Sequence, residues 1–162
     1  MSNENAFDIS LVKLDDIAVT NASIKNETKL ISLEKSKYTF EFGFDFEIAV
    51  SVELKKMRLT FSCNIETLEK ESKNKIDISA NFQICFYFLI PNLEELIGKG
   101  PDFIIRQDVG VSISNLCYST ARGIIYTRCQ GTPFRFFILP ILPTTDIISM
   151  HDAATGKKNI SV

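Results

Sequence analysis

From Tyr38 to Leu54 every second residue is apolar: Tyr38, Phe40, Phe42, Phe44, Phe46, Ile48, Val50, Val52 and Leu54. Between them stand Thr39, Glu41, Gly43, Asp45, Glu47, Ala49, Ser51 and Glu53. A strand points successive side chains to opposite faces, so this stretch predicts one apolar face and one wet face. A helix would scatter the same apolar residues around its circumference, and a period sustained this long excludes it. Gly43 is where so long a strand would bulge or bend.

The same period returns twice. Met57, Leu59, Phe61, Cys63 and Ile65 form one run, and Ile76, Ile78, Ala80, Phe82, Ile84, Phe86, Phe88 and Ile90 form another. Lys55-Lys56 stands where the first turn should be and lacks the Gly or Asn that a two-residue hairpin favours, so a longer loop or a displaced boundary is expected. The charged EKESKNK stretch at 69–75 predicts the next hairpin tip. On the third run the second face begins polar and turns apolar at Cys85, Tyr87 and Leu89, which predicts cover on both sides there. Phe7 to Ile24 also reads as a strand, with a phase slip between Leu11 and Val12 that predicts a bulge or a strand contacted on both faces.

Beyond Ile90 the pattern changes. Pro91 to Ile97 predicts a short helix with Gly98 past its end. From about Gln107 to Gln130 the period is helical, and Gly131 is its stop. Ile113, Leu116, Cys117, Thr120, Ala121 and Ile124 make the main apolar stripe, while Asp108, Asn115, Ser119, Arg122 and Tyr126 make a narrow polar one. Val111, Tyr118, Ile125 and Cys129 widen the apolar surface, so this helix should lie between two partners. Strands followed by helices make an α+β domain: a four-stranded antiparallel β-meander, a long helix, an extended proline-containing crossover and a short C-terminal helix. Residues 1–150 are expected to be a single domain and 151–162 a polar, flexible tail.

The crossover is the most apolar stretch. Between Pro133 and Pro143 only Arg135 is polar. It is far shorter than the ~20 residues of a membrane helix, and its prolines forbid one continuous helix. Part of it should seal the core, with Phe134, Phe136 or Phe137 facing a groove.

Composition excludes several function classes. A net charge of -2 and a pI of about 5.5 offer no basic excess for nucleic acid. The polar, acidic start has no apolar core of a signal peptide, so a reducing cytoplasm is expected. The four cysteines have no CxxC spacing, and the one histidine, His151, lies in the tail, so neither a metal site nor a cysteine–histidine nucleophile is indicated. No cofactor or glycine-rich phosphate loop is legible, and the carboxylates Glu41, Asp45, Glu47 and Glu53 belong to the wet face of a strand. An enzyme is not expected.

"NLCYSTARGIIYTRCQGTPFRFFILPILPTTDI" (residues 115–147) resembles the end of the SecB chaperone family. Ala121-Arg122 matches that family's helix pair, Gly131-Thr132 its helix stop, and Ile138-Leu139-Pro140-Ile141 its apolar Leu-x-Pro-Val segment. The resemblance implies a homotetramer, a dimer of dimers with long helices between sheets. It also implies ATP-independent binding of unfolded preproteins in hydrophobic grooves and their delivery to the SecA motor for export. Carried onto this chain, the client-binding groove draws on Phe134, Phe136, Phe137, Ile138, Leu142 and Tyr87. The oligomer interface draws on Ile113, Tyr118, Ile125 and Cys129.

There are departures. Leu142-Pro143-Thr144-Thr145 replaces the family's Phe-Asp, the tail HDAATGKKNISV is slightly basic, and serine and glutamine occupy inner-strand positions where an acidic docking patch is expected. A chaperone dedicated to one labile client, such as an antitoxin, fits at least as well as SecA delivery. The other readings are an oligomeric interaction scaffold, whose apolar surfaces are wholly internal, and a small-ligand binder using Arg122 and Arg135.

Overall fold

In the computed structural model, residues 8–27, 33–97 and 105–143 are described. The period-2 runs become β2 (Tyr38–Ser51), β3 (Lys56–Glu69) and β4 (Lys75–Leu89), joined as consecutive antiparallel hairpins. β2 pairs with β3 residue for residue from Tyr38↔Glu69 to Ser51↔Lys56, with no bulge at Gly43. The alternation runs past the strand end: Val52 and Leu54 fall in the turn, and Leu54 is 63% exposed. The displaced boundary follows from turn chemistry. Lys55 takes the left-handed backbone (φ 53) that glycine usually supplies, and its N–H donates to Val52 O at 3.1 Å. At the other hairpin Lys73 does the same (φ 58), inside the charged stretch expected to be the tip.

The fourth strand, β1 (Lys13–Asn26), corrects the meander. The sheet order is β1-β4-β3-β2, so β1 lies against β4 at the far edge rather than beside β2. This is Greek-key order, made possible by the long connection between β1 and β2. The phase slip at Leu11/Val12 is not a bulge either. Ile9–Leu11 form a 3₁₀ turn, whose start is capped by the Asp8 carboxylate accepting from Ser10 N–H at 2.9 Å. The bulges of β1 come later, between Leu14 and Asp16 and between Val19 and Asn21. The short helix expected after Pro91 is a single 3₁₀ turn, Leu93–Glu95; Gly98 lies outside the described residues.

The long helix α1 (Gln107–Cys129) lies across β3 and β4. Val109, Ile113, Cys117, Ala121, Ile125 and Cys129 recur every four residues on its buried face, where i and i+4 side chains stack. Opposite them Leu59, Phe61, Cys63, Ile84, Phe86 and Phe88 are at most 1% exposed. Gly131 ends the helix in the left-handed region (φ 75). Thr132 then turns the chain back, its hydroxyl donating to Cys129 O at 2.7 Å and accepting from Phe134 N–H at 3.1 Å.

The helix faces are redistributed relative to the sequence expectation. Leu116 (44%) and Tyr126 (46%) are exposed with Ser119 and Gly123, whereas Tyr118 is buried at 4%. Tyr118 reaches past β3 toward β2, its ring 5.3 Å from Phe44 and 5.9 Å from Phe61.

Candidate functional site: the crossover and the apolar face of β2

Because α1 sits over β3 and β4, the edge strand β2 has no helix of its own among the described residues. Its apolar side chains are nevertheless aimed at the same layer. Phe40, Phe44, Phe46, Ile48 and Val50 are therefore only partly buried, while their partners on β3 are fully covered. The chain after Gly131 supplies part of the missing cover. Phe134 and Phe137 are 0% and 4% exposed. The Phe134 ring lies 5.5 Å from Phe40, and the Phe137 ring lies 5.7 Å from Phe40 and 5.8 Å from Phe42, in edge-on contacts.

The next residues divide between the core and water without a single period. Leu139 is buried at 1%, and Leu142 packs partly against the core. Phe136 (42%), Ile138 (55%) and Ile141 (81%) point out. The Arg135 guanidinium stands 4.6 Å from the centre of the Phe136 ring, a cation–π contact. Two side chains of α1 hold the backbone. Arg122 Nε donates to Leu139 O at 2.6 Å, and Tyr118 Oη donates to Pro140 O at 3.0 Å. The result is an aromatic strand face bordered by a fixed, extended segment with apolar side chains in water.

The structure sorts the residues expected in the groove. Phe136 and Ile138 are accessible, Leu142 is half-buried, and Phe134 and Phe137 belong to the core. Tyr87 is not near them. It lies between Phe86 and Phe88, both buried under α1, so it faces the other side of the sheet, paired with Arg58 and Asp16. A strand cannot present neighbouring side chains to one face, and the sheet separates Tyr87 from the crossover. Its end of that face is only partly covered: Cys85 is 7% exposed, while Tyr87 and Leu89 are half-buried.

The expected interface residues are corrected as well. Ile113, Tyr118, Ile125 and Cys129 are 1%, 4%, 1% and 0% exposed inside the protomer, packed onto its own sheet, and have no surface to give a partner. Ile141, the most exposed large apolar residue among those described, was missed, because proline-interrupted extended chain has no period to read. The roles of Arg122 and Tyr118 were missed because a contact to a carbonyl seventeen or twenty-two residues away leaves no local signal. The terminal helix expected near Thr145–Met150 and the tail at 151–162 lie outside the described residues.

The four cysteines are free and buried. Burial pushes the Cys63 and Cys117 thiols up to about 12 and Cys129 to about 11, with Cys129 adding to the effect on Cys63. Such thiols are protonated at neutral pH and are not nucleophiles. Among the described residues, no cluster of His, Cys, Asp and Glu has metal-binding geometry, and no helix is long and apolar enough to cross a membrane.

No protein-family model matches the chain, and no curated protein matches it. Among solved structures it is similar to the Mycobacterium tuberculosis Rv1957 SecB-like chaperone in complex with a ChAD peptide from the Rv1956 HigA1 antitoxin. The similarity covers 82% of this chain and 91% of that one, with a TM-score of 0.56 and 12% sequence identity. At that identity the likeness speaks for the fold: this chain has the α+β, SecB-like fold, an antiparallel four-stranded sheet followed by one long helix.

Proposed function

We propose that the protein is a chaperone that holds non-native polypeptide, without nucleotide, on the surface formed by the crossover and the apolar face of β2. One observation carries the reading. Phe136, Ile138 and Ile141 stand in water on a backbone fixed to α1, beside a phenylalanine ladder that the protomer covers only in part. Apolar surface arranged in this way is commonly an interaction site. The solved neighbour's antitoxin peptide supports a polypeptide ligand and, in particular, the dedicated-client version of the reading. Export through SecA is the alternative version.

The energetics fit passive holding. Burying on the order of 400 Å² of apolar client surface yields about 10 kcal/mol at ~25 cal/mol per Å². Lost translational freedom and ordering of the client cost a similar amount, roughly 4–15 kcal/mol. The small surplus gives reversible binding with little sequence specificity, so handover to a partner can release the client. Homo-oligomerisation belongs to this reading, with the outward Leu116 and Tyr126 of α1 at the contact in place of the buried residues named above.

The test is aggregation of a chemically unfolded model protein, and of an antitoxin, with wild type and with the double variant Ile138→Ser/Ile141→Ser. Suppression by wild type and its loss in a folded double variant is the expected result. Equal behaviour of the two proteins would count against this surface, and protection of neither substrate would count against the chaperone reading itself. Should Phe136, Ile138 and Ile141 instead be covered by self-association, the protein would be a scaffold, and the native mass would fall in the double variant.

A further inference from the structure

The crossover poses a physical problem that its own sequence does not solve. Residues 137–143 belong to no sheet or helix, and prolines 140 and 143 have no N–H to donate. An apolar segment of this kind would ordinarily collapse onto whatever apolar surface is nearest. Here Ile138 and Ile141 stay out, at 55% and 81% exposed, while Leu139 between them is buried at 1%. Sliding the chain by one residue would carry Ile138 to the buried place of Leu139 and Ile141 to the half-buried place of Leu142, because neighbouring side chains of extended backbone face different ways.

What resists the slip is polar and comes from one helix face. Tyr118 and Arg122 are four residues apart, so their side chains leave α1 in the same direction. They meet the carbonyls of consecutive residues: Arg122 Nε bonds Leu139 O at 2.6 Å and Tyr118 Oη bonds Pro140 O at 3.0 Å. Both contacts are partly buried, and the first is charge-assisted and short, so it resists exchange with water better than a surface contact would. The Tyr118 ring is also wedged between Phe44 and Phe61, which fixes the hydroxyl in space. Both donors therefore stand on the rigid core, and both acceptors on the segment that needs positioning.

We infer that Arg122 and Tyr118 are positioning residues for client binding: they clasp the Leu139 and Pro140 carbonyls and so lock the register that presents Ile138 and Ile141 outward. This rests on the client-binding reading of the crossover and adds the means by which the binding surface stays open. Without the clasp the segment rolls, its outward isoleucines pack against the half-covered face of β2, and the surface closes on itself.

The experiment uses the full chain and three variants, Arg122→Gln, Arg122→Lys and Tyr118→Phe, with two measurements. Peptide-resolved hydrogen exchange reports the crossover, and fluorescence anisotropy reports binding of a labelled peptide rich in phenylalanine and leucine, against a Gly-Ser peptide of equal length. Tyr118→Phe keeps the ring in the core and removes only the hydroxyl, so it guards against an uninformative unfolded Arg122 variant. Expected is faster exchange in 136–142 with unchanged exchange in β3 and β4, and roughly tenfold weaker peptide binding for Arg122→Gln, the scale of one charge-assisted hydrogen bond. Arg122→Lys, which retains a charged donor, should recover part of the affinity. A purely structural role would instead lower stability and speed exchange throughout the sheet, with affinity per folded molecule unchanged. That result overturns the proposal, as does crossover exchange equal to wild type in both Arg122→Gln and Tyr118→Phe. Wild type that binds neither peptide overturns the client-binding reading, and the exchange data then still judge the clasp by themselves.

Discussion

The two faces of the sheet solve the problem of exposure in opposite ways. On the face away from α1, polar side chains satisfy one another across the strands. Asn21 Nδ2 donates to Asn81 Oδ1 at 3.0 Å, Asn81 in turn donates to Asn64, and Thr20 Oγ1 donates to Gln83 Oε1 at 2.9 Å. Lys25 meets Asp77 at 2.8 Å and Glu27 at 3.0 Å, and Arg58 stands 3.9 Å from Glu47. Such exposed pairs stabilise little, but they leave no unmet demand. The α1 face is mostly apolar, although Thr67 is buried on it opposite Phe40, and one helix is too narrow to cover four strands. The deficit falls on β2 and is made up only in part by the crossover. What sets the surface proposed to hold clients apart from the polar face is its incomplete cover.

That contrast is open to attack at several points, the largest effect first. Phe137→Asp places a charge at a site 4% exposed and should cost more than about 4 kcal/mol or prevent folding, whereas Phe136→Asp, one residue away, should fold normally. Thermal melts of both variants check this, and equal destabilisation would mean that Phe136 and Phe137 do not differ in burial. Phe134→Ala, which leaves a cavity beside Phe40, should cost about 3–5 kcal/mol by chemical denaturation.

Alkaline pH separates the faces next. The thiols of Cys63, Cys117 and Cys129 are raised by burial under α1, so the folded state keeps protons that the unfolded chain releases above its ordinary thiol value of about 8.5. Their contribution is fully present at neutral pH and is lost as pH rises toward the folded values of about 11 and 12. Each linked thiol then lowers stability by about 1.4 kcal/mol per pH unit. Denaturation midpoints at pH 7, 9 and 10 should therefore be level and then decline, and a Cys117→Ala background should decline less steeply. The smallest effect belongs to the polar face. Asn81→Ala breaks the amide ladder at its centre and should cost about 1 kcal/mol or less, with client binding unchanged.

The sequence was most legible where a period could be counted. Tyr38 to Ser51, the two later strand runs, Gln107 to Cys129 and the stop at Gly131 were all visible, because alternation and helical spacing are local consequences of backbone geometry. Boundaries were less so: Val52 and Leu54 continue the alternation yet lie in a turn, since Lys55 accepts a backbone that lysine seldom adopts. Of the residues expected in a groove, Phe136 and Ile138 are exposed, while Tyr87 lies on the other side of the sheet.

By itself, then, the sequence determined the α+β class, the strands with their apolar and wet faces, and the span of the helix, each through the spacing of side chains along one element. Tertiary structure alone decided that β1 crosses to β4, that Tyr118 and Cys129 belong to the protomer's own core, and that Ile138 and Ile141 remain in water. The physical reason is the same in each case. Which edge a strand takes, what a helix face meets and which side of an extended chain is held outward are fixed by contacts distant in sequence. For the crossover, the contacts inferred to decide are two hydrogen bonds from Arg122 and Tyr118 to carbonyls that no local pattern announces.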